Sequence, residues 1–255
     1  MSQSLTLVAL PQIGRVRPGD DLAGLLIGAI EREGAVLSSR DVLVVAQKIV
    51  SKAEGRSVDL ATVTPSARAV ALGRECDKDP RLVELILEES RRVVRHRPGV
   101  LIVEHRLGYV MANAGIDRSN VDPDLGREPV LLLPRDPDGS TAMLRARLGA
   151  HFGVEPGVII ADSFGRAWRR GTVGIALGAA GLPALIDLRG QPDLFGRPLR
   201  VSEIGFADEI AAAASLLMGQ ADEGLPAVLV RGLDWRAPAS DAGALIRPEA
   251  EDLFR

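Results

Sequence analysis

The sequence predicts an α+β fold, a mixed α/β arrangement in which mixed sheets pack against helices. Strand-like and helix-like patterns alternate along the chain. The runs "GVLIVEH" and "GYVMANAG" follow each other so closely that they read as a hairpin, which a purely parallel sheet would not contain. The core is aliphatic: 46% of residues are hydrophobic, yet there are only two Trp, one Tyr and five Phe.

The elements follow in order. "SLTLVAL" reads as a strand ended by Pro11. Residues 20–34 carry apolar side chains at helical spacing, with an Asp cap at the start and Gly34 at the end. Residues 41–52, "DVLVVAQKIVSK", read as one buried strand by their β-branched run. "TPSARAVALGREC" reads as a helix with Thr64 as cap and Pro65 in the first position. "DPRLVELILEESRRVV" repeats that device at Asp79 and Pro80, with Leu82, Leu85, Ile86 and Val93 on one face. After the hairpin come a strand "PVLLLP", a turn into the helix "DPDGSTAMLRARLGAHFG", and a strand at 157–162 ending in an acid. "VGIALGAAG" suits a closely packed strand better than a helix, because of its glycines. A helix at 206–219 and a strand "LPAVLVRGL" close the pattern. The breaks "LLLPRDPDG" and "RGQPDLFGRPL" read as surface loops. Residues 1–235 read as one domain. Past Trp235 the pattern weakens, so residues 236–255 are expected to be a partly mobile tail.

Composition excludes several classes. With 34 acidic and 31 basic residues the net charge is −3, unlike the basic balance of a general nucleic-acid binder. A single cysteine, Cys76, rules out an intrachain disulfide and a multi-cysteine zinc site. His96, His105 and His151 share no ligand spacing. The start of the chain lacks a signal-peptide pattern, and no window is apolar enough to span a membrane, so the expected location is cytoplasmic. No phosphate-binding G-x-x-x-x-G-K-[ST] loop, dinucleotide fingerprint or nucleophile elbow is present.

Three places combine an apolar run with polar residues at its end. One is Asp117 with Asn120 in "NAGIDRSN". Another is Asp162 with Ser163, followed by Arg166, Arg169 and Arg170. The third is Lys48 with Lys52, and a lysine in a buried strand needs a partner. Two carboxylates, a hydroxyl and several cations suit a divalent metal holding phosphate oxygens. Simpler readings stand beside this one. Asp117 and Asn120 make a turn by bonding their own main chain, and Asp162 with Ser163 caps a helix beginning at Phe164. Arg169 and Arg170 form a solvated surface, and the lysines lie along a sheet edge.

The ordered succession "LPQIG", "VLVVAQKIVSKAEGR", "LEES", "NAGIDRSN", "LLLPRDPDGST", "IIADSFGRAWRRG", "ADEIAAAASLLMGQ" and "LPAVLVRGL" resembles the coenzyme F420-0:L-glutamate ligase family, from about Leu10 to about Leu233. It is similar to the single-domain form, without a nitroreductase-like extension. The resemblance implies two intertwined subdomains in a homodimer and a GTP-dependent amide synthesis. F420-0, the coenzyme precursor, is activated as an acyl phosphate and joined to L-glutamate, with further γ-linked glutamates added later. It also implies Mn²⁺ or Mg²⁺ and stimulation by K⁺. By position, the metal would be held by Asp117, Asp162 and Ser163, with Gln220 where archaeal members have a glutamate. The nucleotide would meet Leu10, Pro11, Gln12, Ile13, Gln47, Lys48, Lys52, Asn120, Met218, Gly219 and Gly224. Asp117, Asp162 and Lys52 would be catalytic, and Arg169 and Arg170 would face substrate. A metal-dependent phosphohydrolase and a non-catalytic nucleotide-binding subunit are the alternatives, and neither nucleic acid nor membrane is a partner.

Overall fold

A computed structural model describes residues 4–253 of the chain. In order the elements are β1 (Thr6–Ala9), α1 (Leu22–Arg32), β2 (Val42–Ala46), α2 (Gln47–Ala53), β3 (Ser57–Asp59), α3 (Ala67–Cys76) and α4 (Pro80–Glu88). They continue with β4 (Ser90–Arg97), β5 (Val100–His105), β6 (Val110–Ala112), β7 (Pro129–Leu131), α5 (Pro137–Phe152), β8 (Gly157–Arg166) and β9 (Arg169–Ala180). The last are β10 (Ile186–Asp187), β11 (Glu203–Ile204), α6 (Phe206–Met218) and β12 (Ala227–Arg231). The fold is α+β, with mixed sheets packed against helices.

The central sheet runs β1-β12-β2-β8-β9. Its β2–β8 pair is parallel, and its other pairs are antiparallel. Strand β2 is buried on both faces, which is why it reads as an unbroken apolar run. Leu43 and Val45 join the cluster that includes Leu26 and Ile30 of α1 and Leu144 and Leu148 of α5. Val42 and Val44 join Ala207, Ile210, Ala211 and Ala214 of α6. Alternation along one strand therefore feeds two cores, one on each face. A third core, with Leu82, Val83 and Ile86 of α4 and Leu101 and Val103 of β5, lies among the elements between β3 and β7.

The glycines of β9 have a packing cause. A Cβ on Gly174 would lie 2.5 Å from the Ala211 carbonyl oxygen, and one on Gly178 would lie 2.4 Å from that of Pro137. The backbones of α6 and α5 rest directly on the strand. Side chains also serve it: Asp208 accepts from the Ala176 N–H, Asp138 from that of Ala179, and the Tyr109 hydroxyl donates to the Leu177 carbonyl. A register shift against β8 falls at this point, between Ile160 and Ala161.

Four expectations are corrected. The strand from Asp41 stops at Ala46, and Gln47–Ala53 is a helix. Its end is closed by Glu54 N–H bonding the Val50 carbonyl and by Gly55 at φ +66°. The β-branched pair Ile49–Val50 misled because both are buried in the core, and tertiary burial overrides propensity. Ser66, not Thr64, caps α3 through the Ala69 N–H, leaving Pro65 outside. The α4 helix ends at Glu88, and Val93 pairs with Val103 in a strand. The strand at 157–162 runs on to Arg166, so Phe164 starts no helix. It is buried there, edge-on to Tyr109. The hairpin, the Asp79–Pro80 start and the strand nature of "VGIALGAAG" match expectation. In the tail, Ala242 is buried, and its N–H donates to Asp138.

A buried ionic cluster joins the third core to the segment after α2. Arg56 donates to the Leu133 carbonyl and to Glu89 at 2.7 Å, and Arg106 and fully buried His105 stand at 3.1 Å and 3.5 Å from the same carboxylate. Burial works to raise the Glu89 carboxyl, but the bonds from His105 and Arg56 outweigh it and hold it below the usual range.

Replacing Gly178 with Ala forces α5 off β9 and is expected to cost about 1–3 kcal/mol. Urea unfolding should show a lower midpoint with an unchanged slope.

Candidate functional site

Parallel strands of an open sheet present their carboxyl ends together, and ligands bind in the crevice beyond them. Here β2 ends at Ala46 beside Ala161 of β8, and the Ala46 N–H donates to the Pro226 carbonyl just before β12. A cavity of about 490 Å³ opens at that point. Its wall brings together most of the polar residues picked out from the sequence: Gln47, Lys48, Lys52, Asn120, Asp162, Ser163 and Gln220, with Met218, Gly219 and Gly224.

Helix α2 supplies Gln47, Lys48 and Lys52. Gln47 is 1% exposed, and its Oε1 accepts from the Ser51 hydroxyl, while its Nε2 is a buried donor with no partner among the described residues. Such an orphan suits an acceptor oxygen from a ligand. The Lys52 ammonium is held below the usual lysine value, first by burial and then by Lys48 beside it, with Asp122 acting in the opposite direction.

Asp117 follows three successive left-handed residues, Asn113, Ala114 and Gly115. The small residues there are explained by the core, since a Cβ on Gly115 would lie 2.7 Å from Met111 and 2.8 Å from Leu133. The segment is pinned by paired backbone bonds between Asp117 and Leu131. Asp117 Oδ1 accepts from the Ser119 N–H and hydroxyl, both at 2.8 Å, which is the expected turn. Asp117 Oδ2 lies 2.7 Å from the Lys48 ammonium. Burial works to raise the Asp117 carboxyl, but Lys48 and Ser119 outweigh it and lower it. Asn120 does not bond its own turn: its Nδ2 donates to the Ala221 carbonyl, bridging two loops at the cavity.

Asp162 lies within β8. Burial pushes its carboxyl up to about 6, helped by the negative charge of Asp117 and opposed by the Ser163 N–H. Two carboxylates sense each other here, a common device at functional sites. Among the described residues no group of three or more His, Cys, Asp or Glu gathers to hold a metal.

Other residues fall elsewhere. Leu10 and Ile13 are buried in the core beside β12, and Pro11 and Gln12 are exposed, so the cavity is walled by Gly14, Arg15 and Val16 instead. Arg169 and Arg170 stand exposed on the β8–β9 hairpin, outside the cavity wall. Sequence reasoning missed Arg15, Asp122 and Glu223, which do line it. The Glu223 carboxylate folds back onto its own loop, accepting from the Ala221 N–H at 2.8 Å. The glycine-flanked "GQADEG" was the available signal.

Fold and cavity together define an α+β protein that collects carboxylates, ammonium groups and a hydroxyl at the carboxyl ends of parallel strands, a chemistry suited to phosphate-bearing ligands. A family model described as F420-0:Gamma-glutamyl ligase matches residues 11–232. The coenzyme F420:L-glutamate ligase of Methanothermobacter thermautotrophicus is 46% identical over 253 residues, covering 98% of this chain and 99% of that protein. That of Methanopyrus kandleri is 46% identical over 257 residues, covering 99% and 98%. That of Haloarcula marismortui is 41% identical over 257 residues, covering 98% and 96%. The chain belongs to the F420-0:gamma-glutamyl ligase family. No helix among the described residues is long and apolar enough to cross a membrane.

The raised Asp162 carboxyl has a consequence for stability. Between its unfolded value near 3.8 and its folded value near 6 the native state holds more protons, so stability falls as pH rises through this window. Without added divalent ion, Asp162→Asn should stabilise the protein by roughly 2 kcal/mol at pH 7.5. Denaturant titrations at several pH values should show that gain vanishing below about pH 4.

Proposed function

We propose that this chain is a ligase that joins L-glutamate to coenzyme F420-0 by an amide bond at the expense of GTP, and adds further γ-linked glutamates. The observation that carries this reading is the near-complete coverage of relatives named coenzyme F420:L-glutamate ligase. The cavity supports it, because cations and carboxylates share one wall at the carboxyl ends of β2 and β8.

A carboxylate is a poor electrophile, since its own oxygen is a poor leaving group. Its terminal oxygen attacks the γ-phosphorus of GTP, GDP departs, and an acyl phosphate results. The glutamate amine, deprotonated, then attacks the acyl carbon; inorganic phosphate leaves, and the nitrogen gives a proton to solvent as the amide forms. Charge spreads over the phosphoryl oxygens during transfer, and preorganised cations stabilise it. Lys52, half-buried on the cavity wall, is placed to meet that charge, and the unpartnered Gln47 amide has a bond to offer the nucleotide.

The donor set fits a hard divalent ion, which takes one or two carboxylates and completes its shell with water and phosphate oxygens. Asp117, Asp162, Ser163 and the Gln220 amide oxygen would hold Mn²⁺ or Mg²⁺ there. Such an ion would neutralise phosphate charge and polarise the transferred group. Stimulation by K⁺ and assembly as a homodimer of intertwined subdomains belong to the same proposal.

The test is a ligation assay read by mass spectrometry, with F420-0, L-glutamate, Mn²⁺ and either GTP or ATP. A product heavier by one or more glutamyl units with GTP alone is expected. GTP hydrolysis without that product would favour a phosphohydrolase, and nucleotide binding without turnover a non-catalytic subunit. Asp117→Asn and Asp162→Asn should each lower kcat at least about a hundredfold. In Lys52→Ala the GTP dissociation constant should rise about tenfold, measured by calorimetry.

A further inference from the structure

Three of the 31 basic side chains are lysines, at positions 48, 52 and 78. Two of the three stand one turn apart on α2 and line the same cavity. Lysine differs from arginine in being a compact, movable point charge rather than a planar fork.

The Lys48 ammonium is already engaged. It sits 2.7 Å from Asp117 Oδ2 and 2.9 Å from the Ser119 hydroxyl, with the Ser119 carbonyl at 3.5 Å. Ser119 in turn donates to Asp117 Oδ1 through its N–H and its hydroxyl. Both oxygens of Asp117 are thus committed, one to a cation and one to a turn. The ion pair is more than two-thirds sheltered from solvent on each side, with exposures of 24% and 28%, so it is weakly screened. A divalent ion drawing on the same carboxylate would meet the ammonium at contact range, where like charges repel strongly.

We propose that Lys48 is the resident cation of Asp117, and that a divalent ion enters by displacing its ammonium. This deepens the proposed function and rests on its assignment of Asp117 as a metal ligand. While Lys48 holds Asp117, the segment 113–120 is tied to α2. Once displaced, the ammonium turns into the cavity, where a phosphate-bearing ligand supplies its next partner. Metal and phosphate ligand therefore bind with mutual reinforcement, because each takes one half of the ion pair.

Mn²⁺ binding to the full chain, followed by loss of the free-ion paramagnetic resonance signal, tests this without recourse to activity. Lys48→Gln should bind Mn²⁺ about tenfold more tightly than the unaltered protein, having lost the competing charge. Lys48→Arg, which keeps a cation, should stay close to it. Equal or weaker binding by Lys48→Gln would overturn the proposal while leaving the metal site intact. Absence of Mn²⁺ binding in every chain would overturn the metal assignment and the proposal together. A second measurement needs no variant to fold. In protein labelled at the lysine ε-carbon, which has three signals, added Mg²⁺ should shift and sharpen the Lys48 signal while that of distant Lys78 stays put. A Lys48 signal indifferent to saturating Mg²⁺ would also overturn the proposal.

Discussion

The parallel pairing of β2 with β8 is the constraint on which the rest of the molecule depends. Parallel neighbours cannot be joined by a tight turn and need a long crossover. In this chain the crossover runs from Gln47 to Pro156 and contains α2, the whole of the third core and α5. The pairing thus sets aside the second body of structure and fixes where it must return. It also brings Ala46 and Ala161 side by side, and every catalytic candidate lies on the chain just past one of them or on the crossover between them.

That arrangement has electrostatic consequences. Strands buried on both faces leave a charged group among them short of solvent, and Asp162 is only partly exposed at the cavity. Asp162, inside β8, bears the cost as a carboxyl pushed up to about 6, whereas Asp117 escapes it through Lys48 and Ser119. The two acids end with opposite shifts, because Asp117 pairs directly with Lys48, while at Asp162 burial outweighs the Ser163 N–H and the Lys48 charge that oppose it. The contrast marks where positive charge is in excess and where it is lacking. A phosphate ligand and its counter-ion would redress both at once.

Close packing, not ligand approach, explains most of the small residues. Gly115 lies against Met111 and Leu133, while Gly174 and Gly178 lie against helix backbones. Glycine at these points lets backbone meet side chain or backbone without a Cβ between them. The strained left-handed run at 113–115 is held by the bridge to β7 and orients Asp117. The site's geometry is in this sense a by-product of how the core is filled.

The sequence by itself determined the α+β class, the helices with side-chain caps, the buried strands and the polar residues that chemistry would need. Those signals are local: periodicity, caps and charges sit within a few residues of one another. Only the tertiary structure decided that "QKIVSK" coils after Ala46, that Arg169 and Arg170 stay outside the cavity, and that Gly14–Val16 rather than Leu10–Ile13 line it. It alone paired Lys48 with Asp117, about seventy residues apart in the chain. Local pattern carries no record of such partners, because burial and charge pairing depend on which distant segments the fold brings to the same wall.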